Sequence, residues 1–358
     1  MLCAKQLRTI GIKIIKIVRK VYIEKSEDLK DILLSYDILL FDIYGVLWNG
    51  KSEIMEAIET ATFLRNIGKK VVLVSNMPSR SEVVENGYFS GTGLRKGCVY
   101  DVMITSGDVL LDTLLGSSDI FSTSKRLENC YVLGKLGQEN FAQRVGCRLV
   151  NSPKEADFVY LGFPQLSLKE IEGLDGKYKG PVFESDMYKE RYFDVTDIGV
   201  FSKKIASCRK YDLPMLSDCA DPMAPQADRS TGEINYVLRQ GALANRYREM
   251  GGQVVEICKP NSAIYAYAFR KLKEIFNYSD ASLQNSKILM IGDTLDTDVL
   301  GANNATRDLG LEVDSMLLLS GVSGKILDKN PETVLKLCSD RKLNLNYLAS
   351  SLSLGEHL

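Results

Sequence analysis

Apolar residues follow two rhythms along this chain. Short unbroken aliphatic runs alternate with longer segments in which apolar positions recur every three or four residues, the pattern of a parallel sheet with helices on its faces. Asp37–Asp42 (DILLFD) predicts a buried strand. Glu53–Ile67 predicts a helix, with Ile54, Ala57, Ile58, Ala61, Leu64 and Ile67 on one face and Gly68 ending it. Lys70–Ser75 predicts the next strand, a helix is expected after Pro78, and Asp101–Thr105 leads through Ser106-Gly107 into a helix over Asp108–Leu115.

From about Gly116 to Gln240 the texture changes. Short strand candidates (Cys130–Leu133, Phe158–Leu161, Val182–Phe183) sit among polar segments, and Ser217–Gly232, with Pro222, Pro225 and Gly232, reads as loop. The first rhythm then returns: strand Val254–Cys258, helix Asn261–Ile275, strand Lys287–Ile291, helix Asp296–Asn303 and a last strand Leu317–Leu319. The predicted organisation is an extension over 1–30, a core in two parts (31–115 and 241–335), an inserted domain over 116–240 and a tail over 336–358. The expected fold class is α/β, a Rossmann-like three-layer core interrupted by a second α/β domain.

Composition narrows the chemistry. The net charge is −1, which gives no argument for nucleic acid as a partner. The eight cysteines contain no Cys-x-x-Cys pair, as expected of thiols in a reducing cytoplasm rather than of disulfides or a zinc site. His357 is the single histidine, which argues against histidine-based triads and histidine-ligated metals. Reaction chemistry must then use carboxylates, lysine, hydroxyls and an oxygen-bound hard cation such as Mg²⁺. The first 25 residues carry seven basic side chains against Glu24, interleaved with isoleucines. A solvated basic extension is the favoured reading, with contact at a membrane surface the weaker one.

Four polar groups fall at predicted strand ends, where open α/β sheets form their ligand crevice. These are Asp42, Ser75-Asn76, Lys259-Pro260, and Gly292-Asp293 with Asp296 and Asp298 beyond. Phosphoryl transfer fits this set. A carboxylate such as Asp42 can attack phosphorus and split one hard step into two. Asp293 and Asp42 are candidates to hold Mg²⁺ between two anions that otherwise repel. Lys259 would neutralise remaining charge, and Ser75 and Asn76, read as a helix start, would hydrogen-bond the phosphate oxygens.

The order and spacing resemble the haloacid dehalogenase superfamily. Asp42 with Gly45, Ser75, Lys259, and GDTLDTD (Gly292–Asp298) match its four motifs in turn, over roughly Tyr36 to Ser323. An insertion between the second and third motifs resembles class IIA, the nitrophenylphosphatase- and pyridoxal-phosphatase-like branch with a large α/β cap. VSNMPSR, TSGD, CADP and GALANRYREMGG point to a bacterial sub-branch. The resemblance implies a cytoplasmic Mg²⁺-dependent hydrolase of a small phosphorylated metabolite, with homodimers common in the branch. It implies Asp42 as nucleophile and metal ligand, the Tyr44 carbonyl as a second ligand, Asp293 as a direct ligand and Asp298 as an indirect one. Ser75, Asn76 and Lys259 would bind the phosphoryl group, and the cap would supply substrate contacts from the loop 219–228.

The sequence departs from that family at Tyr44, where an acid-base aspartate is usual. Two residues apart on an extended strand, Tyr44 and Asp42 should face the same crevice. A phenol titrates near ~10, so Tyr44 donates a hydrogen bond but is a poor base. The departure raises two alternatives: a phospho-ligand-binding protein without turnover, and a phosphotransferase with a long-lived phosphoenzyme.

Overall fold

The computed structural model describes residues 21–23, 25–116, 128–136, 146–174, 180–184, 191–228 and 230–355. Most of the basic segment 1–25, and His357, lie outside these residues.

Seven parallel strands form the main sheet, in the order Val21–Ile23, Tyr347–Ala349, Val313–Leu318, Ile288–Gly292, Ile38–Phe41, Lys70–Ser75, Val102–Thr105. Ile38–Phe41 and Ile288–Gly292 are buried at every position, because both faces of the sheet are covered. The alternation of a strand sorts the two faces. Leu39 and Phe41 pack with Leu33 of the helix Ser26–Leu34 and with Ala57, Ile58 and Leu64 of the helix Met55–Asn66. Ile38 and Leu40 point the other way, onto Ile264, Tyr265, Ala268, Phe269 and Leu272 of the helix Ser262–Phe276. The last helix starts where Asn261 accepts a hydrogen bond from the Ala263 amide, and stops where Asn277 turns left-handed (φ 56°). The three-layer core is thus present.

A second, five-stranded sheet is also parallel, in the order Val254–Glu256, Met215–Ser217, Phe158–Leu161, Asn129–Leu133, Arg148–Val150. One face packs on the helices Ser202–Lys210 and Gln240–Glu249 through Ile205, Cys208, Leu243 and Tyr247. On the other face Cys130, Phe158, Tyr160 and Leu216 join the apolar cluster of the core. The inserted domain is therefore seated against the core by buried side chains.

Three expectations are corrected. The segment 254–258 does not resume the core sheet: Val254–Glu256 pairs with Met215–Ser217 at the edge of the second sheet. Both sheets are parallel and both alternate with helices, so a short apolar strand before a helix reads alike in either. The segment 217–232 is not all loop: Met223–Ala227 pairs antiparallel with Ile234–Leu238. Pro225 is tolerated there because a two-stranded ribbon leaves one side of each strand without a ladder. Neither chain end is a mere appendage, since Val21–Ile23 and Tyr347–Ala349 pair with each other at the sheet edge. Among the described residues no helix is long and apolar enough to cross a membrane.

Candidate active site

The predicted groups meet at the carboxyl ends of the core strands. Asp42 directly follows Ile38–Phe41, and its amide donates to the Ile291 carbonyl at 2.9 Å, which ties the strand end to its neighbour. Its Oδ1 lies 2.8 Å from Lys259 Nζ, and the same ammonium lies 2.7 Å from Asp298 Oδ1. Lys259 is 1% exposed, so its charge is matched by these two carboxylates rather than by solvent. Carboxylate oxygens of Asp42, Asp293 and Asp298 all lie within 4.8 Å of one another.

Glycines make this density feasible. After Ile288–Gly292 the chain enters a π-helical turn, Leu295–Val299, which folds Asp298 back beneath the strand end. There Asp298 Oδ2 accepts from the amides of Asp293 (3.1 Å) and Thr294 (3.0 Å). A Cβ on Gly292 would stand 2.1 Å from Asp298 Cγ. Gly45 adopts a left-handed φ of 82°, and a Cβ on it would meet Asp293 Oδ2 at 2.1 Å. Asp293 Oδ2 accepts from the Val322 amide at 2.6 Å. Asp296 lies apart, exposed and paired with Arg341 at 2.6 Å.

Asn76 has a different position from the one expected. The next helix begins at Ser81, so Ser75 and Asn76 do not themselves open a helix. The Asn76 side chain instead brackets the Lys259 main chain, accepting from its amide at 2.8 Å and donating to its carbonyl at 3.0 Å. It also donates to Asp221 Oδ2 of the inserted domain at 3.0 Å. Asn76 thus fixes the lysine and joins the two domains, while Ser75 ends its strand, 2% exposed.

Burial dominates the electrostatics. It pushes the Asp42 carboxyl up to about 7, against the lowering pull of Lys259 and with repulsion from Asp298. Burial, then Asp42 and Asp298, hold Asp293 well above the usual carboxylate range. Burial also raises Asp221. Burial alone would lower Lys259, but Asp298 and Asp42 outweigh it and hold the ammonium well above its ordinary value. Four ionised carboxylates (Asp42, Asp221, Asp293, Asp298) and one ammonium would leave three uncompensated negative charges. Asp42, Asp293, Asp298 and Lys259 are buried and Asp221 is partly so, which makes the imbalance costly. A clustered set of oxygen donors with excess negative charge fits a hard divalent cation.

Asp42, Tyr44, Ser75 and Asn76 line one cavity of about 70 Å³ between the domains. Tyr44 does share the crevice with Asp42, half-buried and bridged to Trp48. The inserted domain contributes Asp221, Gln226, Arg239 and Gln240. Asp221 lies in the loop 219–228 singled out from sequence, but Arg239 and Gln240 carry no local signal. A polar pair before a helix is ordinary, and only the fold turns it toward Asp42.

Comparison with known proteins gives a consistent picture. Residues 39–148 match the family model of haloacid dehalogenase-like hydrolases, and residues 256–336 match a second, described as HAD-hydrolase-like. Chronophin of Bos taurus is 26% identical over 302 residues, covering 82% of this chain and 85% of that protein. The 4-nitrophenylphosphatase of Schizosaccharomyces pombe is 26% identical over 318 residues, covering 87% and 94%. Among solved structures, a haloacid dehalogenase-like hydrolase from Brucella suis shares the fold with a TM-score of 0.57 and 24% identity, covering 81% of this chain and 91% of that one.

Proposed function

We propose that this chain, which belongs to class IIA of the haloacid dehalogenase superfamily and is a phosphatase of that type, hydrolyses a small phosphorylated metabolite through an aspartyl-phosphate on Asp42. The observation that carries this reading is the Asp42 carboxylate held by a buried Lys259 beside two further carboxylates, at the wall of a cavity. Asp42, Asp293, Asp298 and the Tyr44 carbonyl would hold Mg²⁺, which when bound draws charge from the phosphoryl oxygens so that a carboxylate can approach.

The remaining steps fall to the chain's own groups. Lys259 and the Ser75 hydroxyl bind phosphoryl oxygens. Asp42 attacks phosphorus and the ester P–O bond breaks. Tyr44 offers a hydrogen bond but no base. Asp221 is the other acid lining the cavity, and burial favours its protonated form. It gives its proton to the departing oxygen, then takes one from the water that hydrolyses the aspartyl-phosphate. Closure of the inserted domain over the crevice would exclude bulk water between these steps. The seven described cysteines form no disulfide with one another, and five are buried, in keeping with a cytoplasmic setting.

Purified protein with Mg²⁺ and p-nitrophenyl phosphate tests the reading. Turnover that disappears in Asp42→Asn, by a factor on the order of 10⁴ or more, is the expected result. Turnover that survives this change would refute the assigned nucleophile. Tyr44 favours a second reading, transfer of the phosphoryl group to an acceptor other than water. That reading expects phosphoenzyme to accumulate after acid quench and to turn over faster in Tyr44→Asp.

A further inference from the structure

The ribbon of Met223–Ala227 and Ile234–Leu238 touches the core as well as its own domain. Pro225 and Tyr236 lie directly opposite each other in it, so they share one face. That face meets two core segments. Gly50 takes a left-handed φ of 98°, and a Cβ on it would stand 2.9 Å from the Pro225 carbonyl oxygen. Lys51 follows in a turn where Asn49 Oδ1 accepts from the amides of Lys51 (2.9 Å) and Ser52 (3.0 Å). Its Nζ donates to the Gly232 carbonyl, in the ribbon's turn, at 3.0 Å. On the other strand Lys325 Nζ stands over the Tyr236 ring, 4.0 Å from the centroid.

Both lysines belong to segments that hold the reacting carboxylates. Lys51 lies in the loop after Asp42, where Gly45 packs on Asp293 and Trp48 forms β-bridges with Tyr44 and Glu53. Lys325 lies in the helix Val322–Ile326, whose Val322 amide donates to Asp293 Oδ2 (2.6 Å) and whose Ser323 amide donates to the Asp293 carbonyl (3.1 Å). Strand alternation turns Ala224 and Gln226, the neighbours of Pro225, to the opposite face, and both line the cavity that holds Asp42. The ribbon therefore has core loops on one face and the cavity on the other. Its tie to its own domain is buried: Arg239 donates to Gln226 Oε1 (2.9 Å) and to Asp194 Oδ1 (3.2 Å). Its ties to the core are made by lysines that are exposed.

Resting on the phosphatase reading above, we propose that Lys51 and Lys325 are positioning residues that clamp this ribbon onto the two carboxylate-holding segments, and so set the cavity wall against a bound phosphate ester. Neither lysine lines the cavity, so each acts through the ribbon. An exposed cation over a ring is a weak contact, as is an exposed ammonium on a carbonyl. Such contacts bias the ribbon toward the core and still release it at each turnover. The coupling is reciprocal: a ligand that braces the wall tightens the ribbon on the core.

The test uses the full chain with Mg²⁺ and p-nitrophenyl phosphate, beside amide hydrogen exchange of the two ribbon strands. The double variant Lys51→Met/Lys325→Met should raise KM and speed ribbon exchange, each by roughly fivefold or more, with kcat held within about twofold. Exchange in Ile38–Phe41 should stay as it was. Lys51→Arg/Lys325→Arg keeps both cations and should restore the wild-type KM and exchange. Inorganic phosphate with Mg²⁺ should slow ribbon exchange in the wild type, and less so in the Met variant. An unchanged KM or unchanged ribbon exchange in the Met variant overturns the inference. So does a loss of kcat alone, or faster exchange throughout the chain with a lower thermal midpoint, which would mark the lysines as merely structural. If the wild type does not hydrolyse p-nitrophenyl phosphate, the phosphatase reading fails, and the exchange comparison by itself still decides whether the two lysines hold the ribbon.

Discussion

The core and the inserted domain differ in how fully their buried polar groups are bonded. On the core side Asp42 and Asp298 share the Lys259 ammonium, Asp298 also accepts two amides, and Asp293 accepts the Val322 amide. On the inserted side the Gln240 amide, Asp194 Oδ2 and Asp218 Oδ1 have no partner among the described residues. The core has its own exception in the Tyr265 hydroxyl, wedged against Gly301 beneath the lysine. The contrast fits a division of labour. Groups that act on the phosphoryl unit are held before substrate arrives, as electrostatic preorganisation requires.

Removing Lys259 should break the core side most severely. Lys259→Met leaves Asp42 and Asp298 buried and uncompensated, so activity should vanish and stability should fall by about 3–5 kcal/mol. Denaturant midpoints would read the loss, and restored stability on adding Mg²⁺ would show that the carboxylates remain able to take a cation. A smaller change is expected across the cavity. Asp221→Asn should slow alkyl phosphate hydrolysis by roughly 10²–10⁴ and aryl phosphate hydrolysis much less, because a phenolate leaves without a proton. Equal slowing of both would remove Asp221 as the proton donor.

Asp218 sharpens the contrast through pH. Burial pushes its carboxyl up to about 7, against the pull of the Tyr160 hydroxyl at 2.5 Å. The folded state therefore holds this proton more tightly than the unfolded chain, whose carboxyl titrates near ~4. Its contribution is complete below pH ~4 and is lost as pH rises through about 7, at up to ~1.4 kcal/mol per pH unit. Asp218→Asn should flatten that fall in a series of thermal midpoints from pH 4 to 8, and an unchanged slope would contradict it. The seam between the walls should give the smallest stability effect. Asn76→Ala unpairs the Lys259 main chain and Asp221, and should cost about 1–3 kcal/mol, visible as an earlier denaturant midpoint.

Much of the core was legible because its strands are buried on both faces. A run such as ILLF at Ile38–Phe41 has no other comfortable place, and an acid at its end must lie at the sheet's rim. Glycines beside acids were legible in part: Gly45 and Gly292 are needed because Asp293 and Asp298 approach within the space of a methyl group. Lys259 reaches Asp42 from a strand that was read into the wrong sheet, since Val254–Glu256 ends in the second sheet just before the chain crosses back. Nothing local reveals that Asn76 has a backbone 183 residues away as its partner.

The place of Ile288–Gly292 in the main sheet bears on synthesis. It separates Ile38–Phe41 from Val313–Leu318, so the strand carrying Asp42 gains its second neighbour only after most of the polypeptide has been made. Until then a growing chain displays one side of an apolar strand with unpaired amides and carbonyls, a surface apt to join other chains. A product truncated before that point would be aggregation-prone and would lack Asp293, and one ending before residue 259 would lack Lys259 as well.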